Sequence, residues 1–183
     1  MKLNTEACAV ALGTFDGLHP GHRAVIKACI AAARELGVES AVYTFYENPK
    51  RVFGRDVADI MTPEQKFEGL KALGIDKIVA VHFTKTLASV PAREFIEALI
   101  KSLKPKAFIC GEDYTFGSKG LGNAEVLREI CEEKGIMLKV VPLVNVKTAD
   151  GYSDEKISSS LIRASLSAGD NLTAQRLING EPI

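Results

Sequence analysis

The sequence has no surplus of charge of either sign: Lys and Arg number 23, Asp and Glu 23, for a formal net charge of zero. That balance argues against a nucleic-acid or membrane-surface partner, because polyanionic surfaces select for a basic excess. Long apolar runs are missing too. No stretch reaches the roughly 18 to 20 residues needed to span a bilayer. The start, MKLNTEACAVAL, has one Lys ahead of acidic Glu6 and then a short apolar run. That is not the layout of a signal peptide. Cysteine is scarce and scattered. Cys8, Cys29, Cys110 and Cys131 form no CxxC and no Cys/His cluster with zinc-ligand spacing. Each sits among apolar neighbours, as expected for reduced, structural thiols in a cytoplasmic protein. Histidine is rarer still, at three, so the placement of each carries weight.

What is present is a chain of 183 residues, 46% apolar, which fits a single domain over residues 1–183 with a substantial core. Its pattern alternates. Ala7 to Leu12 is a short apolar run ending at Gly13, as in a buried strand. Pro20 suits the first position of a helix that carries Val25, Ile26, Cys29, Ala33 and Leu36 and stops at Gly37. Glu39 to Phe45 reads as a strand. Thr62-Pro63-Glu64-Gln65 is a capping box, opening a helix that ends at Gly74. Lys77 to Phe83, Ala107 to Cys110 and Met137 to Val141 read as further strands. Helices opening at Pro91 and at Asn123 lie between them, and Lys147 to Lys156 is predicted to be a polar surface loop. Two short helices, Ser158 to Ala168 and Asp170 to Asn179, close the pattern. Five strands alternating with helices predict an α/β fold: a Rossmann-like open parallel sheet flanked by helices.

In such a sheet, ligands bind beyond the carboxyl ends of the strands. The loop Gly13 to His22 lies there. Its glycines let the backbone turn and approach a phosphate closely. The following helix begins near His19, so free N–H groups and a positive dipole end face the same place. His19 and His22 are one turn apart, so both rings can meet one anion. Two of three histidines in one His-x-Gly-His, after a strand and before a helix, suit the charge that builds on a phosphorus during transfer. His82 ends a strand without a sequence partner and is expected to be structural. Ile157 to Arg163 is a second motif: serine hydroxyls, helix amides and the Arg163 guanidinium can clamp a leaving pyrophosphate. Asp16 is expected to fix its turn by bonding local amides.

Together these motifs resemble the nucleotidyltransferase superfamily marked by His-x-Gly-His. The run Leu12-Gly13-Thr14-Phe15-Asp16-Gly17-Leu18-His19-Pro20-Gly21-His22 is similar, more closely, to the signature of bacterial FAD synthetases, which usually also carry a riboflavin kinase. Three further segments match in order: Thr44-Phe45-Tyr46-Glu47-Asn48-Pro49, Gly111-Glu112-Asp113-Tyr114-Thr115-Phe116-Gly117, and Ser158-Ser159-Ser160-Leu161-Ile162-Arg163. Asn48 departs from the pattern, which usually has His there, and a flavokinase module is not found up to Ile183. The resemblance implies transfer of AMP from ATP to FMN, with His19, His22 and Arg163 catalytic. Gly13, Thr14, Phe15, Gly21, Ser158, Ser159 and Ser160 would bind ATP. Phe45, Asn48, Asp113 and Phe116 would form the flavin side. With no carboxylate cluster in sight, no dedicated metal site is expected, and Mg²⁺ would arrive on the triphosphate. A separate riboflavin kinase would supply FMN. Two other readings stand beside this one. The first is another His-x-Gly-His enzyme, acting on phosphopantetheine, a nicotinamide mononucleotide or a phosphoalcohol. The second is a catalytically weak flavin- or nucleotide-binding regulator.

Overall fold

A computed structural model describes residues 4–54, 57–148 and 154–183. Five parallel strands form one sheet: β1 (Asn4–Leu12), β2 (Val38–Phe45), β3 (Lys77–Val81), β4 (Pro105–Gly111) and β5 (Met137–Val141). Their order is β3-β2-β1-β4-β5, so the strand order reverses between β1 and β4. Ligand crevices open at that reversal, above the carboxyl ends.

The strand sequences explain the layers. Along β1 successive side chains point to opposite faces. Ala7, Ala9 and Ala11 join one core with Val25, Ile26 and Cys29 of α1 (Pro20–Leu36) and Leu70 of α2 (Pro63–Ala72). Cys8, Val10 and Leu12 join the other. That second core packs Phe95, Ile96 and Leu99 of α4 (Ala92–Leu103) and Leu127, Ile130 and Cys131 of α5 (Ala124–Lys134). A strand segment covered on both faces is apolar throughout, which is why β1 reads as an unbroken run from Ala7 to Leu12, after the polar start Asn4 to Glu6. All four cysteines are free thiols buried in these layers.

The elements start and stop where the sequence marks them. Thr62 and Gln65 form the reciprocal capping box of α2, and Asn123 caps α5. Gly37 and Gly135 end α1 and α5 in the left-handed conformation. The structure also departs from the sequence pattern. β3 ends at Val81, not Phe83, because its partner β2 ends at Phe45, which pairs with Val81. Three short helical turns are additional, one of them the 3-10 turn Ser118–Gly120 in the loop after β4. A 3-10 turn, Pro49–Phe53, is capped by Asn48, and a single turn, α3 (Lys85–Ala88), is capped by Thr84. The expected surface loop from Lys147 to Lys156 is partly strand instead. β6 (Asn145–Lys147) pairs antiparallel with β7 (Asp154–Lys156), while residues 149–153 fall outside the described part. Val146 and Ile157 anchor this ribbon in a third cluster with Ile162 of α6 (Ser159–Ser167) and Ala174 and Leu177 of α7 (Asn171–Asn179).

Candidate active site

One large cavity, about 1000 Å³, opens above the carboxyl ends of β1 and β4. Its walls come from several separate stretches of chain, and every candidate catalytic, ATP-binding and flavin-binding residue named from the sequence lies on it. The β1–α1 loop brings Gly13, Thr14, Phe15, His19, Gly21 and His22. The end of β2 brings Phe45 and Asn48, the β4–α5 loop Asp113 and Phe116, and the start of α6 Ser158, Ser159, Ser160 and Arg163.

The histidine loop is tightly built. Gly13 lies against the Phe15 ring, and a Cβ there would come within 2.9 Å of it. Phe15 and Leu18 both hold positive φ, 52° and 41°, although neither is glycine. Burial keeps them there, with Phe15 1% and Leu18 6% exposed. The Phe15 ring then meets His22 edge-on at 5.5 Å. His19 occupies the N-cap position of α1 but makes no side-chain cap hydrogen bond. Its ring instead stacks on His22, with centroids 3.7 Å apart. The Nδ1 atoms of both rings are buried and have no hydrogen-bond partner. Buried polar atoms without partners are rare, and here they belong to two stacked rings that both line the cavity. At this helix start the first amides lack intrahelical acceptors, which makes the same spot anion-receptive.

Burial, offset in part by Asp113, pushes the His19 imidazole down to about 4. Burial, then His19, Arg163 and Lys66, holds His22 well below its usual value. Both rings are therefore neutral at pH 7 in the free protein. An unfolded chain takes up these protons near pH 6.5, whereas in the folded one His19 stays neutral down to about 4 and burial holds His22 neutral well below its usual range. Their contribution to stability is complete above pH 6.5 and is lost as pH falls, at about 1.4 kcal/mol per pH unit for each ring. Replacing both with Gln should flatten the fall in stability between pH 6.5 and 4, measured by urea unfolding. Equal slopes in the variant and the parent would refute the neutral pair.

Arg163 is held firmly. Its Nε donates to Ala58 O (2.9 Å) and one terminal nitrogen to Ser159 O (3.2 Å). The other forms an ion pair with Asp16. The second oxygen of Asp16 accepts from the amides of Ile60 (3.1 Å) and Met61 (3.4 Å). The expectation that Asp16 serves local amides is corrected here: its partners lie 44, 45 and 147 residues along the chain. Ser158 caps α6 through the amide of Leu161, and the Ser159 hydroxyl donates to Asp16 O at 2.8 Å.

The other side of the cavity is aromatic. Phe45 meets Phe83 edge-on at 5.1 Å, and Phe53, 63% exposed, stands at the mouth. The Phe116 ring is 6% exposed and stacks with Tyr114 at 5.5 Å. Asn48 spends its side-chain oxygen on the amide of Lys50, as a cap. Asp113 pairs with Lys156 of β7 at 2.8 Å, tying the β4–α5 loop to the ribbon. Sequence reasoning missed Phe53, Phe83 and Tyr114, which lie on the same wall. His82 is exposed and bonded to Glu47 at 2.7 Å, stacked on Tyr46 rather than buried.

A 3-2-1-4-5 parallel sheet with a His-x-Gly-His loop at the reversal point has the architecture of a Rossmann-type nucleotidyltransferase. Within that class the chain belongs to the FAD synthetase family, whose model matches residues 1–161. It is 35% identical over 185 residues, 100% of its length, to the bifunctional riboflavin kinase/FMN adenylyltransferase of Bacillus subtilis, covering 56% of that protein. To the Escherichia coli K12 protein of the same name it is 28% identical over 182 residues, covering 97% of this chain and 55% of that one. The chain thus spans about half the length of these relatives. A solved structure described as a macrolide-efflux protein from Streptococcus pneumoniae superposes with a TM-score of 0.80 at 30% identity. The match covers 97% of this chain and 57% of that one. No described helix here is long and apolar enough to cross a membrane.

Proposed function

We propose that this chain transfers AMP from ATP to FMN, giving FAD and pyrophosphate. The observation that carries the reading is the stacked pair His19 and His22. The two rings share one cavity with the serine–arginine helix start and with an aromatic wall. An oxygen of the FMN phosphate attacks the α-phosphorus of ATP. The bond from that phosphorus to the oxygen bridging to the β-phosphate breaks, and pyrophosphate leaves with the electron pair. His19, His22 and the free amides at the start of α1 would share the charge that builds on the α-phosphate. The backbone at Gly13, Thr14, Phe15 and Gly21 would cradle the nucleotide. Ser158, Ser159, Ser160 and Arg163 would hold the β- and γ-phosphates. Of the five guanidinium donors of Arg163, three are engaged by protein acceptors among the described residues, which leaves donors for phosphate. Phe45, Phe53, Phe83 and Phe116 offer flat apolar faces to a flavin ring, with Asn48 and Asp113 at its polar edge.

Among the described residues no group of three or more His, Cys, Asp or Glu is arranged to hold a metal ion. Magnesium would enter as part of the triphosphate, where it would neutralise phosphate charge. Four free, buried cysteines fit a cytoplasmic setting.

The test is to incubate the protein with magnesium-ATP and either FMN or riboflavin, and to separate the flavins. FAD is expected from FMN. No FMN is expected from riboflavin, because in this reading the histidines and helix amides would gather around the α-phosphorus rather than the γ. A riboflavin kinase outside residues 1–183 would supply the FMN. FMN formed from riboflavin at a rate comparable to FAD synthesis would overturn this division.

A further inference from the structure

Lys66 lies in the first turns of α2, a place where lysines normally reach into water, yet it is 5% exposed. Its ammonium group donates to Phe45 O at 2.5 Å and reaches Thr14 O at 3.5 Å. Phe45 is the last residue of β2, and Thr14 follows the end of β1 by two residues. Carbonyls at these strand ends have run out of ladder partners, and burying them unpaired would cost free energy. Thr14 O is also met by the Thr44 hydroxyl at 2.9 Å, so Phe45 O is the one that depends on Lys66. Both residues face the cavity, and Lys66 stands behind them. No carboxylate forms an ion pair with Lys66 among the described residues; Asp16, Asp59 and Glu47 act on it only from a distance. Burial accordingly lowers its proton affinity below that of an ordinary lysine.

A second contact joins the same helix to the same loop. Gly69, three residues along α2, leaves the space that Leu18 fills: a Cβ at Gly69 would fall 2.4 Å from Leu18 Cδ1. Helix α2 thus holds the loop at two points, Thr14 through Lys66 and Leu18 through Gly69. His19, whose Nδ1 has no partner, follows Leu18 directly.

We propose that Lys66 is a positioning residue for the triphosphate. It fastens the backbone of Phe45 and Thr14 and places a positive charge with no direct ion-pair partner behind the phosphate-facing wall, without touching the nucleotide. The proposal rests on the adenylyl-transfer reading for its choice of ligand. A lysine serving core stability alone would alter unfolding and leave nucleotide affinity unchanged in the folded protein. A positioning lysine must alter affinity.

Lys66→Met should weaken magnesium-ATP binding, titrated calorimetrically without flavin, by at least about 10-fold, the scale of a lost charge-assisted interaction. In turnover, KM for ATP should rise by a similar factor, and KM for FMN, whose Phe45 wall the same lysine fastens, by less. Lys66→Gln, which keeps one hydrogen-bond donor but no charge, should show the same split and serves if the Met variant does not fold. Binding and KM within twofold of the parent protein in a folded variant would overturn the proposal. If neither variant folds, Lys66 serves the core alone and the proposal falls. If the parent protein binds ATP but makes no FAD, the product assignment fails, and the binding ratio still decides the role of Lys66.

Discussion

His22→Ala and His19→Ala are each expected to lower the rate of FAD formation by about 10²-fold or more, the scale seen when one preorganised electrostatic donor is removed. The expectation comes from the state of the rings before ligand arrives. Both are neutral, both present a buried Nδ1 with no partner, and they stack at 3.7 Å. The rings line the cavity together and are held neutral by burial, so they stand ready as preorganised donors to a phosphate. Charge grows on the phosphate oxygens in the transition state, so the loss should fall mainly on kcat rather than on KM for ATP. The rings touch, so they should act as a unit. The double variant should therefore be nearly as active as the poorer single one, rather than showing the product of both losses. Product chromatography under saturating ATP measures this. Activity near the parent level in both single variants would sink the assignment of the pair.

The part of this site that was legible in the sequence is the part written in local signals. Gly13 to His22 is a continuous run whose spacing alone puts both histidines at a helix start. Caps at Thr62, Asn123 and Ser158 and stops at Gly37 and Gly135 are short-range chemistry, and the structure uses each of them. What escaped depends on residues brought together by the sheet order. Lys66 looks like a solvated lysine beside a capping box; only the alignment of the ends of β1 and β2 makes it an internal clamp. Phe53 and Phe83 come from different loops with no shared pattern. The strands Asn145–Lys147 and Asp154–Lys156 are three residues each, too short for an alternation to register, and their placement depends on Val146 and Ile157 entering a cluster under α6 and α7. Asn48, the departure from the family pattern, turned out to be a local cap, a role its side chain fills well.

The largest expected effect on stability belongs to Asp16. Its side chain is 8% exposed and that of Arg163 15%, so their ion pair is largely removed from water. Asp16 also receives the amides of Ile60 and Met61, and Arg163 bonds Ala58 O and Ser159 O. The pair therefore joins the histidine loop, the segment before α2 and the start of α6. Asp16→Ala leaves a guanidinium without its counter-charge and two backbone amides without acceptors. Breaking a buried pair from one side costs about 3–5 kcal/mol. Arg163→Ala should cost less, because the Asp16 carboxylate keeps both amides. The double variant should lose clearly less than the sum of the two, since the second deletion no longer strands a charge. Urea unfolding of the four proteins reads the coupling directly. Activity should separate the roles further. Arg163→Lys restores a positive charge but cannot reach Ala58 O, Ser159 O and Asp16 at once with a single ammonium group. It should therefore recover part of the stability and little of the ATP turnover. If the losses prove additive, Asp16 and Arg163 act independently and the knot does not hold the site. If the lysine variant turns over normally, Arg163 is a structural tie alone and the phosphate clamp must be assigned elsewhere on α6.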